Sequence, residues 1–454
     1  MRPRADRAGN RRRVSPVGSA SPPADETVDA ARFLRLLAVL AVLAVAIRVA
    51  YVVLWRQNEP FDGDSQWYFG VGQTVAHGRG FLNPYVLPVE TPTAGHPPLV
   101  AVLMAVLIKL GLSTHFQAML GYAVTSGAAI VLAGWIGRRL FSTRVGIVTA
   151  VLAAVYPYAI LNDTRISAES LNTTMVLLWV LVMLRLRDRP TLGNAAWVGL
   201  VAGLGALTRP ELSALAIVSG LCAWAWAGGR RDLAAGLRCA GVAALVGSLT
   251  IAPWVVRNLK VMHHPVYLTI GFGWTLANTN CDTTYYGEHF GFWDAGCMGG
   301  AVTGLIFGRD ESDLEVEFRE RGLEYIRAHR SRLPAVVAAR VGRTFGFYRP
   351  LQGIDLDAGL EGREPAMSRA ALWAYYGSIP LGIAGVVLAR RRRGTNWVVL
   401  LAPMAVMLPV AFIAPGQVRY RNTFDAVWLL FIGLAIAELW SSAFRGRDSS
   451  PLQR

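Results

Sequence analysis

The chain has 454 residues, of which 53% are hydrophobic and 17% are charged, and its formal net charge is +15. Soluble proteins of this size carry about 25% charged residues, so the composition excludes an ordinary soluble domain. The basic residues gather in short clusters at the ends of apolar runs, which is typical of membrane proteins and argues against nucleic acid as a partner.

Apolar runs long enough to cross a bilayer as helices recur along the chain, for example residues 34–54 and 233–256. Only helices and closed barrels satisfy every backbone group in lipid, and runs of this length exclude the alternating strands of a barrel. The sequence therefore predicts an all-α, polytopic membrane protein embedded in the lipid bilayer.

The basic clusters set the direction of each crossing. If the N-terminus lies in the cytoplasm, about ten spans place every basic cluster on the cytoplasmic side. The predicted spans are 33–55, 116–137, 144–161, 170–187, 193–208, 211–228, 233–256, 370–389, 396–414 and 422–441. The apolar segment 98–112 is short for a span, and we interpret it as a re-entrant or interfacial helix; a full crossing stays the alternative.

This threading divides the chain into cytoplasmic, membrane and outer parts. They are a polar, disordered cytoplasmic tail (1–32), an N-terminal transmembrane catalytic module (33–256) with a first outer loop (56–97), an outer region (257–369), the C-terminal transmembrane helices (370–441) and a second cytoplasmic tail (442–454). The outer segments share one side of the membrane, so their polar side chains can form one site.

The first outer loop carries Asp62 and Asp64 on either side of Gly63. Two carboxylates at a tight turn can face one ligand, where either could accept a proton from an attacking hydroxyl or bind a divalent cation. The structural alternative is that Asp64 caps the following helix and Asp62 is solvated.

The rest of this loop is predicted to lie at the membrane interface. Residues 65–79 form a helix there, with Trp67, Tyr68 and Phe69 as anchors at the level of the lipid headgroups. His96 ends the loop, where it could contact a phosphate or a sugar; the alternative is a solvated histidine.

Ionisable side chains recur in the other outer segments. Asp163, Arg165 and Glu169 lie between two spans, at the membrane boundary, where such groups are costly and often functional. Arginine suits phosphate because its donors form a planar fork, and the further candidates on this face are Arg209, Arg257, Arg419 and Arg421. Local ion pairs and side chains that reach towards the interface are the structural alternatives.

The cysteines divide by location. Cys281 and Cys297 lie in the outer region, on the oxidising side in this topology, and are candidates for a disulfide. The sequence contains no zinc-ligand spacing, Walker loop or Ser/His/Asp signature. A divalent cation is the one cofactor considered, and the sequence does not decide whether it is required.

Several short motifs recur in a fixed order along the chain. They are Asp62-Gly63-Asp64-Ser65, Tyr68, Gly78-Arg79-Gly80-Phe81, His96-Pro97-Pro98-Leu99, Leu207-Thr208-Arg209-Pro210, Pro253-Trp254, Arg257-Asn258 and Arg419-Tyr420-Arg421. This set resembles the C-type (polytopic membrane) glycosyltransferases, in particular the family 39-like bacterial branch that contains protein O-mannosyltransferases and lipid A aminoarabinose transferases. The resemblance covers about residues 33–441.

The resemblance implies an inverting transferase with a polyprenyl-phosphate-linked sugar donor. The acceptor is a lipid, glycan or protein of the cell envelope, at the outer face of the cytoplasmic membrane. Asp64 matches the family's catalytic base, and the arginines would bind the leaving phosphate. The family often has an acidic residue directly after this aspartate, where Ser65 stands here. The second acidic position matches Asp163 or Glu169, and the sequence does not choose between them.

Two other functions fit a polytopic protein. A lipid or small-molecule transporter or flippase predicts charged or broken helices near the middle of the membrane and an inverted repeat. The sequence shows no such repeat, and most of its ionisable residues lie near the interfaces. A non-catalytic membrane scaffold is the other alternative, and it requires that the acidic loop be dispensable.

Overall fold

The computed structural model describes residues 30–57, 63–299, 309–392 and 394–445. Asp62 and most of the two predicted cytoplasmic tails lie outside the described residues. Within them the chain forms helices, with a single isolated bridge between Leu82 and Pro92 in place of strands. The predicted all-α fold class is confirmed.

The N-terminal half contains long helices joined by short connections. In chain order they are α1 (Ala30–Trp55), α2 (Gly63–Ala76), α3 (Leu99–Lys109), α4 (His115–Thr125), α5 (Gly127–Leu140), α6 (Thr143–Val155), α7 (Pro157–Asp163), α8 (Ala168–Asp188), α9 (Leu192–Ala206), α10 (Ser213–Ala227) and α11 (Leu233–Val261). A short 3-10 turn, Pro210–Leu212, precedes α10.

The outer region and the C-terminal part are also helical. Their helices are α12 (Gly271–Thr279), α13 (Asp282–Tyr285), α14 (Glu311–Ala328), α15 (Leu333–Thr344), α16 (Pro350–Glu361), α17 (Pro365–Arg391), α18 (Trp397–Ile413) and α19 (Asn422–Arg445). Two 3-10 turns, Ala295–Met298 and Val418–Arg421, complete this part. A disulfide joins Cys281 to Cys297.

Polar residues at the helix starts explain several of these boundaries. Thr114 and Gln117 form a capping box at α4, and the side chains of Ser142, Thr191 and Asp232 accept backbone N–H bonds at α6, α9 and α11. Such caps satisfy N–H groups that have no partner inside the helix. The apolar runs between the caps then form the helices that pack into the main core.

The helix lengths do not confirm the predicted count of ten membrane spans. Seven helical segments among the described residues are long and apolar enough to cross a membrane, and α6 with α7 adds an eighth if the bent pair is one span. The other two predicted spans coincide with α9 and α18, which have 15 and 17 residues. Each predicted span therefore corresponds to a helical segment, but the count of ten is not confirmed.

Proline explains the bend between α6 and α7. The two helices meet at 59°. Pro157 is the first residue of α7, and Tyr156 before it is extended, with φ −65° and ψ 116°. Because proline lacks an N–H group and forces its predecessor out of the helical region, α6 cannot continue through this point.

Helix α2 is buried by protein, which corrects its prediction as an interfacial helix with lipid-facing aromatic anchors. Trp67, Tyr68 and Phe69 are 4%, 2% and 4% exposed and pack with residues of α3 and α4. At the contact with α3, a Cβ on Gly72 would lie 2.5 Å from the Cβ of Met104. Glycine therefore permits the close approach that fixes α2, and with it Asp64.

We predict that reporter fusions after Thr143 and Arg165 lie on opposite sides of the membrane. The basic residues at the end of α5 and the polar segment after α7 flank the bent pair, so the pair must cross if the positive-inside rule holds. Alkaline phosphatase and green fluorescent protein fusions measure the side. A fusion after Arg189 is the control and should match the one after Thr143. If both test positions report one side, α6 and α7 form a re-entrant loop.

Candidate functional site

Asp64 lies in the first turn of α2, and its carboxylate contacts a residue from the far end of the chain. Arg419 Nη1 donates to Asp64 Oδ2 at 2.8 Å, and His96 Nε2 lies 3.6 Å from Asp64 Oδ1. The proposed alternative, that Asp64 is only a helix cap, does not account for this long-range ion pair.

Arg419 is the centre of a larger cluster of acids and arginines. Its Nη1 also donates to Glu361 Oε2 at 2.8 Å, and its Nε lies 3.8 Å from Glu169 Oε1. Arg209 Nη1 donates to the same Glu169 oxygen at 3.0 Å. We call these residues, Asp64, Glu169, Arg209, Glu361 and Arg419, the acid–arginine cluster. They come from five separate segments of the chain.

The cluster lies at the end of α8 opposite its basic residues. Glu169 is in the first turn of this helix, whereas Arg185 and Arg187 are in its last turn. With 21 residues, α8 separates the two by about 30 Å, the thickness of a bilayer core. The predicted outer segments therefore meet at one end of the helical bundle.

The cluster is closed on one side and open on the other. The side chain of Glu169 is 1% exposed and those of Arg209 and Arg419 are 11% and 12% exposed. Asp64 and His96 are more open, at 23% and 32%. A ligand can therefore reach Asp64, while the arginines act from a poorly hydrated interior where charge interactions are stronger than in water.

Aromatic rings and a glycine position His96. Its ring lies 4.8 Å from the ring of Trp67 and 4.9 Å from that of Tyr68. A Cβ on Gly95 would lie 2.9 Å from Trp67 Nε1, so the glycine lets the backbone pass this indole. Burial lowers the pKa of His96 against the opposing effect of Asp64, which favours a neutral imidazole beside the carboxylate.

The charges around Asp64 keep it ionised. Burial opposes ionisation, but the guanidinium of Arg419, with smaller effects from His96 and Arg165, holds the pKa of Asp64 well below its usual range. Arg165 is itself buried. It therefore belongs to the surroundings of the cluster, and its contact with substrate stays a prediction.

The structure favours Glu169 over Asp163 as the second acidic residue. Asp163 accepts a hydrogen bond from Arg48 Nε at 2.7 Å, and that guanidinium also donates to the carbonyl groups of Ala153 and Ala154. This buried pair is separate from the cluster. Asp163 is therefore corrected from a substrate ligand to the partner of a buried arginine.

Arg421 also lies apart from the cluster, although only one residue separates it from Arg419. Its Nε donates to Asp425 Oδ1 at 2.9 Å, and its guanidinium lies 3.4 Å from the centre of the Tyr375 ring. The turn Val418–Arg421 directs the two arginines to different neighbours.

Arg257 has a structural role in place of the predicted phosphate contact. Its Nη1 donates to the carbonyl oxygen of Thr93 at 2.7 Å and its Nη2 to that of Phe81 at 2.8 Å. The ring planes of Phe81 and Trp254 lie under the same guanidinium. Arg257 therefore holds the first outer loop on the end of α11.

Glu311 fixes the same loop from the side of the outer region. Its carboxylate accepts hydrogen bonds from Asn83 Nδ2 at 2.8 Å, Thr93 Oγ1 at 2.8 Å and Ala94 N at 3.1 Å. It is 4% exposed, and burial raises its pKa to about 7. These bonds hold the residues that lead directly to Gly95 and His96.

Sequence reasoning missed the contribution of α16. Asp357 and Glu361 lie four residues apart on this helix, and Gln417 Nε2 donates to both, at 2.8 and 2.9 Å. Burial, with the charge of Glu361, raises the pKa of Asp357 to about 6. The signal in the sequence was an acidic pair at helical spacing followed by Arg363.

The donor set of the cluster does not suit a divalent cation. Its three carboxylates each face a guanidinium within 4 Å. Among the residues that the structure describes, one group of side chains is placed to hold a metal ion together, His263, Asp310 and Asp313, and it includes no residue of the cluster. In the cluster, the arginines occupy the carboxylates that a divalent cation would use.

Comparisons with known proteins agree with this fold. A family model described as dolichyl-phosphate-mannose-protein mannosyltransferase matches residues 95–256. No curated protein sequence matches the chain. The oligosaccharyltransferase of Archaeoglobus fulgidus in its apo form is similar with a TM-score of 0.54 and 14% identity, over 92% of this chain and 52% of that one.

The same enzyme in complex with an inhibitory peptide and a dolichol-phosphate gives a TM-score of 0.51 and 14% identity, over 93% of this chain and 52% of that one. ArnT from Cupriavidus metallidurans bound to undecaprenyl phosphate has 15% identity over 91% of this chain and 80% of that one, with a TM-score of 0.40, too low to argue from. The chain spans about half the length of the oligosaccharyltransferase.

Fold and sequence together define the class. The helices form a multi-pass membrane protein with the fold of the C-type, or GT-C, transferases. The family model matches part of the chain, and the fold of the whole is similar to that of the oligosaccharyltransferase, in agreement with the resemblance seen in the motifs.

We predict that the wild-type protein loses stability as pH rises towards 8, because Glu311 must ionise while buried, and that Glu311→Gln removes this loss. An acid whose pKa rises from 4.5 to about 7 on folding favours the folded state below about pH 4.5, and this contribution is lost as pH rises through 7. The free energy of unfolding falls by about 3 kcal/mol at most. The apparent thermal midpoint of the purified wild-type protein should fall between pH 5 and pH 8 more steeply than that of Glu311→Gln.

Glu324→Gln, an exposed change on the same helix, is the matched control and should keep the wild-type slope. Equal slopes for wild-type protein and Glu311→Gln would show that this carboxyl is ionised at neutral pH.

Proposed function

We propose that this protein transfers a sugar from a polyprenyl-phosphate-linked donor to a cell-envelope acceptor at the outer face of the cytoplasmic membrane. The observation that carries the proposal is the direct contact between Asp64 and Arg419, inside a cluster assembled at one end of a GT-C fold. A polyprenyl tail stays in lipid, so its phosphate reaches the protein at the level where this cluster lies.

Arg209 and Arg419 bind the donor phosphate in this proposal. Each presents a fork of charged donors, and both are largely buried. As the bond between sugar and phosphate breaks, negative charge develops on the leaving phosphate. Fixed cations in a poorly hydrated site stabilise that charge.

Asp64 acts as the base that accepts the proton of the acceptor hydroxyl. The guanidinium of Arg419 holds the pKa of Asp64 low, which makes this carboxylate a weak base. A donor phosphate that engages Arg419 competes with Asp64 for the same guanidinium. The pKa of Asp64 then rises towards its ordinary value, so donor binding itself prepares the base. Attack from the opposite side of the sugar inverts the anomeric centre.

We predict that Asp64→Asn lowers sugar transfer by at least about 100-fold, because it removes the base while keeping the shape of the side chain. Transfer is measured with the purified protein and a labelled polyprenyl-phosphate sugar, supplied with extracted envelope lipids and proteins. Asp355→Asn is the matched control, since that carboxylate is 66% exposed on α16 and pairs with Arg369 at 3.6 Å.

Gel filtration and the thermal midpoint show whether the Asp64→Asn protein is folded. A folded variant with near-normal transfer would contradict the role of Asp64 as base. If the wild-type protein moves the labelled lipid across proteoliposomes without breaking its sugar–phosphate bond, the protein is a flippase.

A further inference from the structure

A second cavity lies beside the acid–arginine cluster, and the proposed transfer does not use it. It opens between α15, α16 and the first turns of α17, and the space among its lining atoms, open solvent included, is about 590 Å³. Its charged lining residues are Arg343, Arg349, Asp357, Arg363 and Arg421.

Buried arginines line this cavity with N–H groups that have no partner among the described residues. Arg343 is 3% exposed; its Nε donates to Phe290 O and its Nη2 to Gln352 Oε1, whereas Nη1 makes no hydrogen bond. Arg421 is 1% exposed, and its Nη1 is likewise unbonded.

Arg343 forms no direct ion pair with a carboxylate of the described residues, although the charge of Asp357 acts on it. No carboxylate of the described residues lies within 4 Å of it, whereas Arg363 and Arg421 face Glu361 and Asp425. A buried cation without an ion-pair partner is costly, and unbonded N–H groups add to that cost. An anion in the cavity would neutralise the buried charge and accept hydrogen bonds from the unbonded N–H groups.

The rim of the cavity has a second feature that suits an anion. Helix α16 begins here, with Pro350 and Gly353 in the lining, and the N–H groups of a first helical turn favour negative charge. Arg349 precedes this helix in the left-handed region, with φ 44°, and its exposed side chain stands at the mouth. A non-glycine residue with this backbone is uncommon and is often found at ligand sites.

The remaining wall is apolar and belongs to a membrane span. Ile354, Ala371, Leu372 and Val418 line it, and the first turns of α17 supply two of them. Helix α17 is long and apolar enough to cross a bilayer. A cavity at the end of such a helix lies at the depth of lipid headgroups, with cations on one wall and hydrocarbon contacts on another.

We propose that this cavity binds the phosphate headgroup of an anionic lipid, at a site distinct from the Asp64 cluster. Glu361 connects the two sites, because it contacts Arg419 at 2.8 Å and lies 3.7 Å from Arg363. A lipid held here is next to Asp64, where the transfer reaction needs its acceptor. The role of the bound lipid as acceptor rests on the proposed function, whereas its binding to the cavity does not.

The test measures lipid binding to the full-length protein in detergent by native mass spectrometry. The probes are dioctanoyl phosphatidate, dioctanoyl phosphatidylcholine and inorganic phosphate. We expect phosphatidate to bind and the zwitterionic lipid to bind at least about tenfold more weakly. Arg343→Gln and Arg349→Gln should each weaken phosphatidate binding about tenfold.

Matched variants separate this site from its surroundings. Arg327→Gln, an exposed charge on α14, and Arg209→Gln, in the acid–arginine cluster, should leave phosphatidate affinity unchanged. Arg349 is exposed, so its variant is expected to fold even if Arg343→Gln does not. Asp64→Asn should bind phosphatidate normally whether or not it transfers sugar.

Three outcomes would overturn the proposal. Equal affinity for phosphatidate and phosphatidylcholine would show that the headgroup charge is not recognised. Full binding by folded Arg343→Gln and Arg349→Gln, or a loss confined to Arg209→Gln, would place the lipid elsewhere. Inorganic phosphate that binds as tightly as phosphatidate would show that the apolar wall contributes nothing.

Discussion

The contact between Arg419 and Asp64 is the interaction on which the rest of the site depends. A guanidinium this buried needs carboxylates around it, because an unpaired charge in a poorly hydrated interior is costly. Arg419 obtains them from α2, α8 and α16, three helices that are far apart in the sequence. The packing of these helices therefore depends on the ion pairs of Arg419, and the loss of the arginine or of a carboxylate leaves a buried charge without its partner.

The first outer loop must hold Asp64 and His96 still against this cation, and residues outside the cluster do that. Arg257 binds two backbone carbonyls of the loop, and Glu311 binds the segment that leads to His96. Neither contacts Asp64. Both act by fixing the backbone on which His96 is placed.

The helices could be predicted because each apolar run and basic cluster carries its own signal. The site could be predicted only in part, because the direction in which a helix faces decides which of its residues belong to the acid–arginine cluster. Asp163 and Glu169 lie six residues apart, and Arg48 in α1 captures the first while the second reaches Arg209 and Arg419. Glu361 went unnoticed because an acid at helical spacing in an outer segment resembles an ordinary exposed residue.

Charge balance also limits how an anionic donor can bind. Arg209 and Arg419 already face carboxylates, so an entering phosphate brings surplus negative charge into a poorly hydrated space. Binding is favourable only if an arginine exchanges partners or a nearby carboxyl takes up a proton. Exchange at Arg419 frees Asp64, and Asp357, with a pKa of about 6, is the adjoining acid closest to protonation at neutral pH. In the proposed reaction, the ion pair that lowers the pKa of Asp64 is therefore the one that donor binding would exchange.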